Sequence, residues 1–307
     1  MNAGYITQRL LGAALVILGV ITLVFLLIHL VPGDPVEVML GESAAPADRV
    51  ALRHALGLDQ PLPLQWLHYV EGLSHFDLGT SLYAHRPISA VFAERLPATA
   101  ELAAGAMGVS LLIALPLGVM SARRPDSSWD RITMAFSTLG ISIPGFWLGP
   151  MLILLFALRL GWLPVSGRES PASLVLPSLT LGIGMASVLS RMVRAALLDV
   201  MREDYLRTAR AKGLPEWRVI LHHAARNAAL PVLTVLGLQL GALLAGTVIT
   251  ETIFQWPGLG QLTVEAIQRR DYPVVQACVL IISVTYVLVN TLTDIAYTLL
   301  DPRVRMQ

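Results

Sequence analysis

The sequence has a single cysteine and few charged residues. Cys278 stands alone among 307 residues, which excludes an intrachain disulfide framework and any metal site built from several cysteines. Only 14% of the residues are charged and the net charge is +1, so the strongly basic stripe of a nucleic-acid-binding domain is missing. With 55% hydrophobic residues and a mean hydropathy of +0.65, the chain is too apolar for a soluble domain, and we expect it to contact membrane lipid. Cys278 then fills space in an apolar helix.

The chain also lacks the motifs of several catalytic and transport classes. It has no GxxxxGKS or GxxxxGKT phosphate-binding loop, so any nucleotide must be bound by a partner. No metal-binding or nucleophile motif indicates an intramembrane enzyme, and no charged residue stands in the middle of an apolar run, where a proton relay would need one. Glu251 and Asp294 lie near the ends of such runs, where we expect water or a partner to solvate them. We predict no catalytic, cofactor-binding or metal-binding residue.

Six apolar runs are candidates for transmembrane helices, since roughly 20 helical residues cross about 30 Å of hydrocarbon. They cover residues 10–31, 102–120, 132–158, 174–189, 228–249 and 274–300. The first has no small-residue cleavage site after it, so we expect it to be retained and not removed as a signal. The fourth is rich in small and polar residues, which favours close packing inside a bundle. The sequence predicts an all-α, polytopic membrane protein with about six transmembrane helices.

Basic residues are distributed unevenly between these runs. If the N-terminus is cytoplasmic, the inside segments hold about 14 of the 22 Lys and Arg residues, although the outside segments are longer. We therefore predict that both termini are cytoplasmic and that the long segment after the first helix lies outside.

That long outer segment has apolar residues at helical spacing. Trp66, Tyr69, Val70 and Leu73 fall on one face of a short helix, and Pro61 stands just ahead of it. The aromatic residues Trp66, Tyr69, Phe76 and Tyr83 are either anchors at the membrane interface or, as we favour, the core of a small helical cap. The chain thus divides into an N-terminus with the first helix (1–31), an extracytoplasmic cap (32–98) and a core with five transmembrane helices (99–307).

The segment between the fourth and fifth runs reads DYLRTARAKGLPEWRVILHHAARNAALP from Asp204 to Pro231. Residues 205–212 make about two helical turns, Gly213 can take the left-handed conformation that ends a helix, and Pro215 suits the first turn of the next helix. We predict a short helix, a tight turn and a second helix. Such a helix can transmit motion between a cytoplasmic partner and the membrane bundle. Alternatively, its basic residues only attach this segment to lipid headgroups.

This segment resembles the coupling-loop signature of binding-protein-dependent ABC permeases, a Glu-Ala-Ala triplet followed by a glycine and a later Leu-Pro pair. The triplet position reads Arg207, Thr208 and Ala209, the glycine is Gly213, and the pair is at 230–231. RTARAKG followed by RNAALP is similar to the version in the dipeptide, oligopeptide and nickel permease family. Other segments that resemble this family follow in order: LVPGDP (30–35), LGLDQPL (56–62), FDLGTS (76–81), LPSLTLG (176–182), WPGLG (256–260), RDYPVVQA (270–277) and DPRVR (301–305).

The resemblance implies a type I ABC importer permease fold, in which 99–307 is the core permease domain and 199–230 its cytoplasmic coupling loop. It implies a bacterial inner-membrane subunit that is not an enzyme. The implied partners are a second, homologous permease in a heterodimer, two cytoplasmic ABC ATPases and an extracytoplasmic substrate-binding protein. Transport then follows alternating access, driven by ATP binding to the ATPases. The residues implied to contact the ATPase are Arg207, Thr208, Ala209, Lys212 and Gly213.

The substrate class implied by the resemblance is small peptides, including dipeptides, oligopeptides and glutathione. A nickel or metal-chelate importer is the alternative, and a self-contained secondary transporter or channel is a more distant one. Three histidines of the cap, His68, His75 and His85, suggest nickel, but surface histidines explain them more simply. His222 and His223 point about 100° apart on a helix and make a poor metal pair.

Overall fold

The computed structural model describes residues 3–30, 35–41, 45–55 and 57–300, and the DPRVR segment lies outside them. Its regular elements, within these ranges, are helices, with one isolated bridge between Thr80 and Pro87. The first half contains α1 (Ala3–Leu30), α2 (Pro35–Leu40), α3 (Pro46–Ala55), α4 (Leu62–Ser74), α5 (Ile88–Arg123), α6 (Ser128–Ser142) and α7 (Gly145–Leu152). The second half contains α8 (Val175–Met201), α9 (Asp204–Ala211), α10 (Glu216–Arg218), α11 (Ala225–Ile253), α12 (Leu259–Gln268) and α13 (Tyr272–Leu300). The all-α prediction is confirmed.

Five stretches of described helix are long and apolar enough to cross a bilayer. They are Thr7–His29, Ile88–Arg123, Pro171–Met201, Glu216–Leu243 and Tyr272–Ile295. A sixth crossing is obtained if the bent pair Ser128–Ser142 and Gly145–Arg159 counts as one span. The predicted number of transmembrane helices is therefore confirmed.

The third predicted span is not one straight helix. Its two parts meet at an angle of 103°. The break follows from Pro144, because a residue before proline is driven out of the helical region. Ile143 is accordingly extended, with φ −84° and ψ 117°, and Pro144 becomes the N-cap of α7. The second part then ends in a π-helical stretch, Ile153–Arg159.

The fourth span, α8, lies at the centre of the bundle. It packs against α5, α6, α7 and α11, and its most extensive contact is with α5. Backbones approach closely there, since a Cβ added at Gly182 would lie 2.6 Å from the Cγ1 atom of Val109. Pro177, Ser178, Thr180 and Gly182 are buried as the sequence predicted, whereas a Cβ at Gly184 would meet nothing within 4 Å. The helix continues to Met201, well beyond the predicted end.

The bundle has two ends, each with its own apolar cluster. At one end Leu206 and Val219 are buried with Leu189, Val193 and Ala122. At the other, the cap end, Ile88 and Phe92 are buried with residues of α12 and α13, including Cys278. Cys278 is fully buried in the apolar helix α13, as the sequence predicted.

The helix α4 of the predicted cap forms where the spacing indicated and lies against α1. Trp66 donates a hydrogen bond from Nε1 to Thr22 Oγ1 at 3.2 Å, and the rings of Tyr69 and Phe25 are 5.8 Å apart. These two aromatic residues therefore join α4 to the first transmembrane helix. Phe76 and Tyr83 are exposed. The expectation that the four aromatic residues form the core of the cap was therefore wrong, because sequence spacing gives the face of a helix but not its partner.

Candidate coupling site

The predicted coupling helix forms at the end of the bundle opposite the cap. It is α9, which begins after the extended N-cap Glu203 and ends at Ala211, within one residue of the predicted bounds. Lys212 donates its backbone N–H to the Thr208 carbonyl at 3.1 Å, and Gly213 donates to the Arg210 carbonyl at 2.9 Å. Gly213 has φ +77°, the left-handed conformation that the sequence predicted. Nothing lies within 4 Å of the position where its Cβ would be, so backbone conformation alone favours glycine here.

One face of α9 is docked on the bundle. Leu206 is fully buried and Ala209 is 7% exposed, and both pack into the cluster that contains Val219 and Ala224. Residues three apart lie on the same face of a helix, so these two form its apolar stripe. The short helix is thereby held against the helices that cross the membrane.

Polar contacts fix both ends of α9 to the chain that follows the turn. The Arg210 guanidinium donates to the two carboxylate oxygens of Glu216 at 3.2 and 3.0 Å, a bidentate pair that closes the Gly213 turn. The hydrogen bond to Glu216 raises the pKa of Arg210 above its ordinary value. Near the start of the helix, Asn227 donates from Nδ2 to the Tyr205 hydroxyl at 2.7 Å. The helix, the turn and the start of α11 therefore form one connected unit.

The opposite face of α9 is exposed. Arg207, Thr208, Lys212 and Gly213 are all exposed, whereas the side chain of Ala209 faces the bundle. Arg207 forms a solvent-exposed pair with Asp204 at 3.2 Å. Four of the five predicted contact residues are therefore exposed, and the fifth, Ala209, is buried against the bundle.

An aromatic residue that sequence reasoning passed over lies in α10, just after the turn. Trp217 is 57% exposed, and the Arg218 guanidinium lies 5.1 Å from the centre of its ring. The sequence signal was the WR pair two residues after Pro215, at the start of the second helix. A large exposed aromatic residue beside basic groups is typical of a binding surface.

A buried ion pair fixes the bundle beside α9. Arg194 of α8 donates from Nε and Nη2 to the two oxygens of Asp130 at 2.6 and 2.8 Å, and Asp130 also accepts from Ser121. The side chain of Asp130 is 5% exposed and that of Arg194 is 23% exposed. Because Ser121 belongs to α5 and Asp130 to α6, this network ties the turn between these helices to α8. Local sequence patterns gave no indication of it.

At the cap end, the structure decides between the two predicted environments of Glu251. Glu251 is fully buried, so protein groups and not bulk solvent surround its carboxylate. Its carboxylate accepts hydrogen bonds from the Thr99 hydroxyl at 2.8 Å and from the Gln261 backbone N–H at 3.0 Å. Trp256, in the loop between them, donates from Nε1 to the Ala98 carbonyl at 2.7 Å. Asp294, by contrast, is half-exposed and pairs with Arg9 at 3.1 Å, as the prediction of a solvating partner requires.

The histidines that the structure describes are not part of a metal-binding cluster. His222 and His223 have ring centroids 5.3 Å apart, with the rings nearly perpendicular. Over the described ranges, no three His, Cys, Asp or Glu side chains are placed to hold a metal ion together.

Comparison with known proteins gives a consistent result. A family model described as "binding-protein-dependent transport system inner membrane component" matches residues 114–306, and the model of its N-terminal part matches residues 3–103. The glutathione transport system permease proteins GsiC of Pectobacterium atrosepticum and Escherichia coli K12 are 43% and 42% identical to this chain. Each match covers 98% of both chains.

Solved structures share the fold at low sequence identity. An inward-facing structure of the MetNI methionine ABC transporter gives a TM-score of 0.59 at 18% identity, covering 69% of this chain and 97% of the other. An amino acid ABC transporter with histidines gives 0.52 at 16% identity, covering 70% and 94%. The chain therefore belongs to the family of binding-protein-dependent transport system inner membrane components: it is a multi-pass permease of an ABC importer, a non-enzymatic subunit that works with ATPases and a substrate-binding protein.

Proposed function

We propose that this permease imports small peptides of the dipeptide, oligopeptide and glutathione class across the bacterial inner membrane by alternating access. The support comes from the relatives named as glutathione transport permeases, which match over 98% of both chains. In binding-protein-dependent import the binding protein selects the substrate, so the permease provides the path.

In the proposed orientation both termini are cytoplasmic, residues 32–98 form an extracytoplasmic cap and residues 199–230 form the cytoplasmic coupling loop of the core domain 99–307. The positive-inside distribution of Lys and Arg supports this orientation. The ion pair between Arg9 and Asp294 supports it too, because it brings the first and last helices together at the end of the bundle that carries α9.

The main support for the coupling proposal is that one face of α9 is packed against the bundle while the other is exposed. Its inner face is fixed by Leu206, Ala209 and the pair of Arg210 with Glu216. Its outer face presents Arg207, Thr208, Lys212 and Gly213 to the cytoplasm in this orientation. We assign these four residues to the contact with the ATPase, while Ala209 supports the contact from beneath.

A docked helix of this kind can transmit motion in both directions. Because ATP binding must shift the permease between two states, the contact has to carry a difference in free energy between them. In α9 that difference passes to α8 and α11 through the shared apolar cluster and the contact of Tyr205 with Asn227. A loop without such contacts could move without changing the positions of α8 and α11.

The second permease subunit is proposed to be a homologous but different chain, so the complex is a heterodimer of permeases with two ATPases. Affinity purification of the tagged chain in mild detergent tests this directly. We expect a second permease and ATPases to copurify, and loaded binding protein to stimulate ATP hydrolysis.

The substrate is tested with the same complex in liposomes. Each assay compares uptake of labelled glutathione, a labelled dipeptide and nickel at equal concentrations, with and without ATP. ATP-dependent uptake of a peptide supports the proposal. Nickel uptake alone would reject the peptide class, and solute movement by the solitary chain without ATP would reject the importer mechanism.

A further inference from the structure

The loop between α4 and α5, residues 75–87, carries an aromatic side chain on a strained backbone. Phe76 has φ +59°. Its N–H donates to the Leu73 carbonyl at 3.0 Å, and the Asp77 N–H donates to the Gly72 carbonyl at 2.9 Å, which is the hydrogen-bond pattern of a helix that ends in a left-handed residue. Glycine is the usual residue at this position, because a bulky side chain is strained there. Burial does not offset the strain, since Phe76 is 88% exposed.

The residue types exposed on this loop are those that anchor protein interfaces. Tyr83, in the same loop, is 61% exposed, and the Arg269 guanidinium lies 4.2 Å from the centre of its ring. Aromatic and arginine side chains are enriched at interfaces and at their hot spots. Strained backbone positions also cluster at functional sites. Both observations indicate that a partner covers the Phe76 ring.

The loop is fixed to the start of α13. Asp271, which is buried, accepts hydrogen bonds from the Ser81 hydroxyl at 2.5 Å and from the backbone N–H groups of Leu82 and Tyr83, both at 3.2 Å. A surface that is ordered before binding loses little conformational entropy when a partner docks. The two exposed rings are therefore presented by a preorganised loop, and a displacement of this loop reaches α13 through Asp271.

The charges around Phe76 favour a protein partner over lipid. No Lys or Arg occurs in residues 54–85, whereas Glu71 and Asp77 on either side of Phe76 are both exposed. Aromatic anchors at membrane surfaces are chiefly Trp and Tyr, and anionic headgroups attract basic residues. An aromatic ring between carboxylates complements instead a protein surface that offers an apolar pocket with a basic rim.

We propose that the loop 75–87 is a docking site for the extracytoplasmic substrate-binding protein, and that the Phe76 ring enters an apolar pocket on that protein. The inference rests on the proposed orientation, in which residues 32–98 are extracytoplasmic. A binding-protein-dependent permease works with such a partner on its outer face. Because Asp271 joins the loop to α13, docking at Phe76 acts directly on a helix that crosses the membrane.

The first test measures docking on the complete transporter complex. The probe is the purified, loaded binding protein that stimulates ATP hydrolysis by the unmodified complex. Phe76→Gly removes the ring and also relieves the backbone strain, so its melting temperature should be unchanged or higher. The concentration of binding protein that gives half-maximal stimulation should nevertheless rise about tenfold, which corresponds to about 1.4 kcal/mol. Phe76→Tyr keeps an aromatic ring and should stay near the unmodified value.

The matched control is Asp126→Gly. Asp126 is exposed and has φ +62°, but it lies in the turn between α5 and α6, at the end of the bundle opposite the cap. This variant relieves the same kind of strain and should leave the half-maximal concentration unchanged. An unchanged value in Phe76→Gly would overturn the proposal, and so would an equal shift in both variants, because backbone relaxation would then explain the effect.

The second test identifies what covers the ring. A photoreactive benzoylphenylalanine in place of Phe76 keeps an aromatic group at this position, and illumination of the complex with the same binding protein should cross-link the two. A cross-link to the second permease subunit, or to lipid alone, would overturn the proposal. Stimulation of ATP hydrolysis without a cross-link to the binding protein would reject this docking site alone. If no loaded binding protein stimulates the unmodified complex, the proposed function is rejected and the docking site with it.

Discussion

Thr99 of α5 donates its hydroxyl hydrogen to Glu251 of α11 at 2.8 Å, and the same hydroxyl oxygen accepts the Leu259 backbone N–H at 2.8 Å. The Glu251 carboxylate also accepts the Gln261 backbone N–H, which belongs to the first turn of α12. A side chain of α11 thus provides a hydrogen-bond acceptor for the start of α12. The first N–H groups of a helix have no hydrogen-bond partner within the helix, so acceptors from outside it are needed where the end of the helix is buried. Three helices are thereby joined at the cap end of the bundle.

Replacing Glu251 by alanine should destabilise the protein. The change removes the acceptor for Thr99 and Gln261 in a fully buried site, and unpaired buried donors of this kind lower the free energy of unfolding by about 1–3 kcal/mol each. Glu251→Gln keeps one acceptor and should have a smaller effect. Thermal unfolding in detergent measures both, with the exposed Glu71→Gln as control. Equal melting temperatures for Glu251→Ala and the control would contradict the role.

The space around Glu251 gives a second prediction. A Cβ at Gly258 would overlap the Glu251 carboxylate, whereas a Cβ at Gly184 of α8 would meet nothing within 4 Å. Gly258→Ala should therefore lower the free energy of unfolding by about 1–3 kcal/mol, as overpacking does. Gly184→Ala should be neutral or stabilising by up to about 1 kcal/mol, since alanine favours helices. The two variants are compared by thermal unfolding. Similar melting temperatures would contradict the prediction and show that the Glu251 side chain moves aside at little cost in stability.

The ion pair of Asp130 with Arg194 should show strong coupling. Removing one member leaves the other charge buried without its partner, which costs about 3–5 kcal/mol in well-buried pairs and less here, because Arg194 is partly exposed. Asp130→Asn and Arg194→Gln should each lower the melting temperature. The double variant should be more stable than the sum of the two single changes predicts. Strict additivity in this double-mutant cycle would mean that the pair contributes nothing beyond its separate members.

Local rules predicted the coupling segment well. A glycine that can adopt positive φ and a proline two residues later are sufficient to end one helix and begin another, and the observed bounds of α9 differ from the prediction by one residue. The apolar spacing of α4 and of the long spans likewise depends on residues close in sequence. The kink in the third span also had a local signal, Ile143 before Pro144, which the length of the apolar run concealed.

The contacts between distant helices had no such local signal. Glu251 and Thr99 are 152 residues apart, and Arg194 and Asp130 are 64 apart. A carboxylate near the end of an apolar run can face water or be buried among donors, and only the packing of distant helices decides between them. The same limit applies to Ala209, because helical spacing alone does not say which face of α9 contacts the bundle.

Gly213 tests the coupling role most directly. In the left-handed region an L-residue with a Cβ is strained by about 1–2 kcal/mol, a factor of about 5–30 in an equilibrium. Gly213→Val should therefore reduce ATP-dependent uptake severalfold while the protein stays in the membrane. Gly213→Asn should retain most uptake, because asparagine tolerates this conformation and the surrounding space is open.

The matched control for this pair is Gly184→Val, which places the same side chain in open space within α8. Uptake into liposomes and ATPase activity are measured together, since uncoupling lowers uptake relative to hydrolysis, whereas a misfolded chain loses both. Normal uptake by a well-expressed Gly213→Val variant would count against the coupling role. If Asn and Val reduce uptake equally, side-chain contact with the ATPase, and not backbone strain, determines the effect at this position.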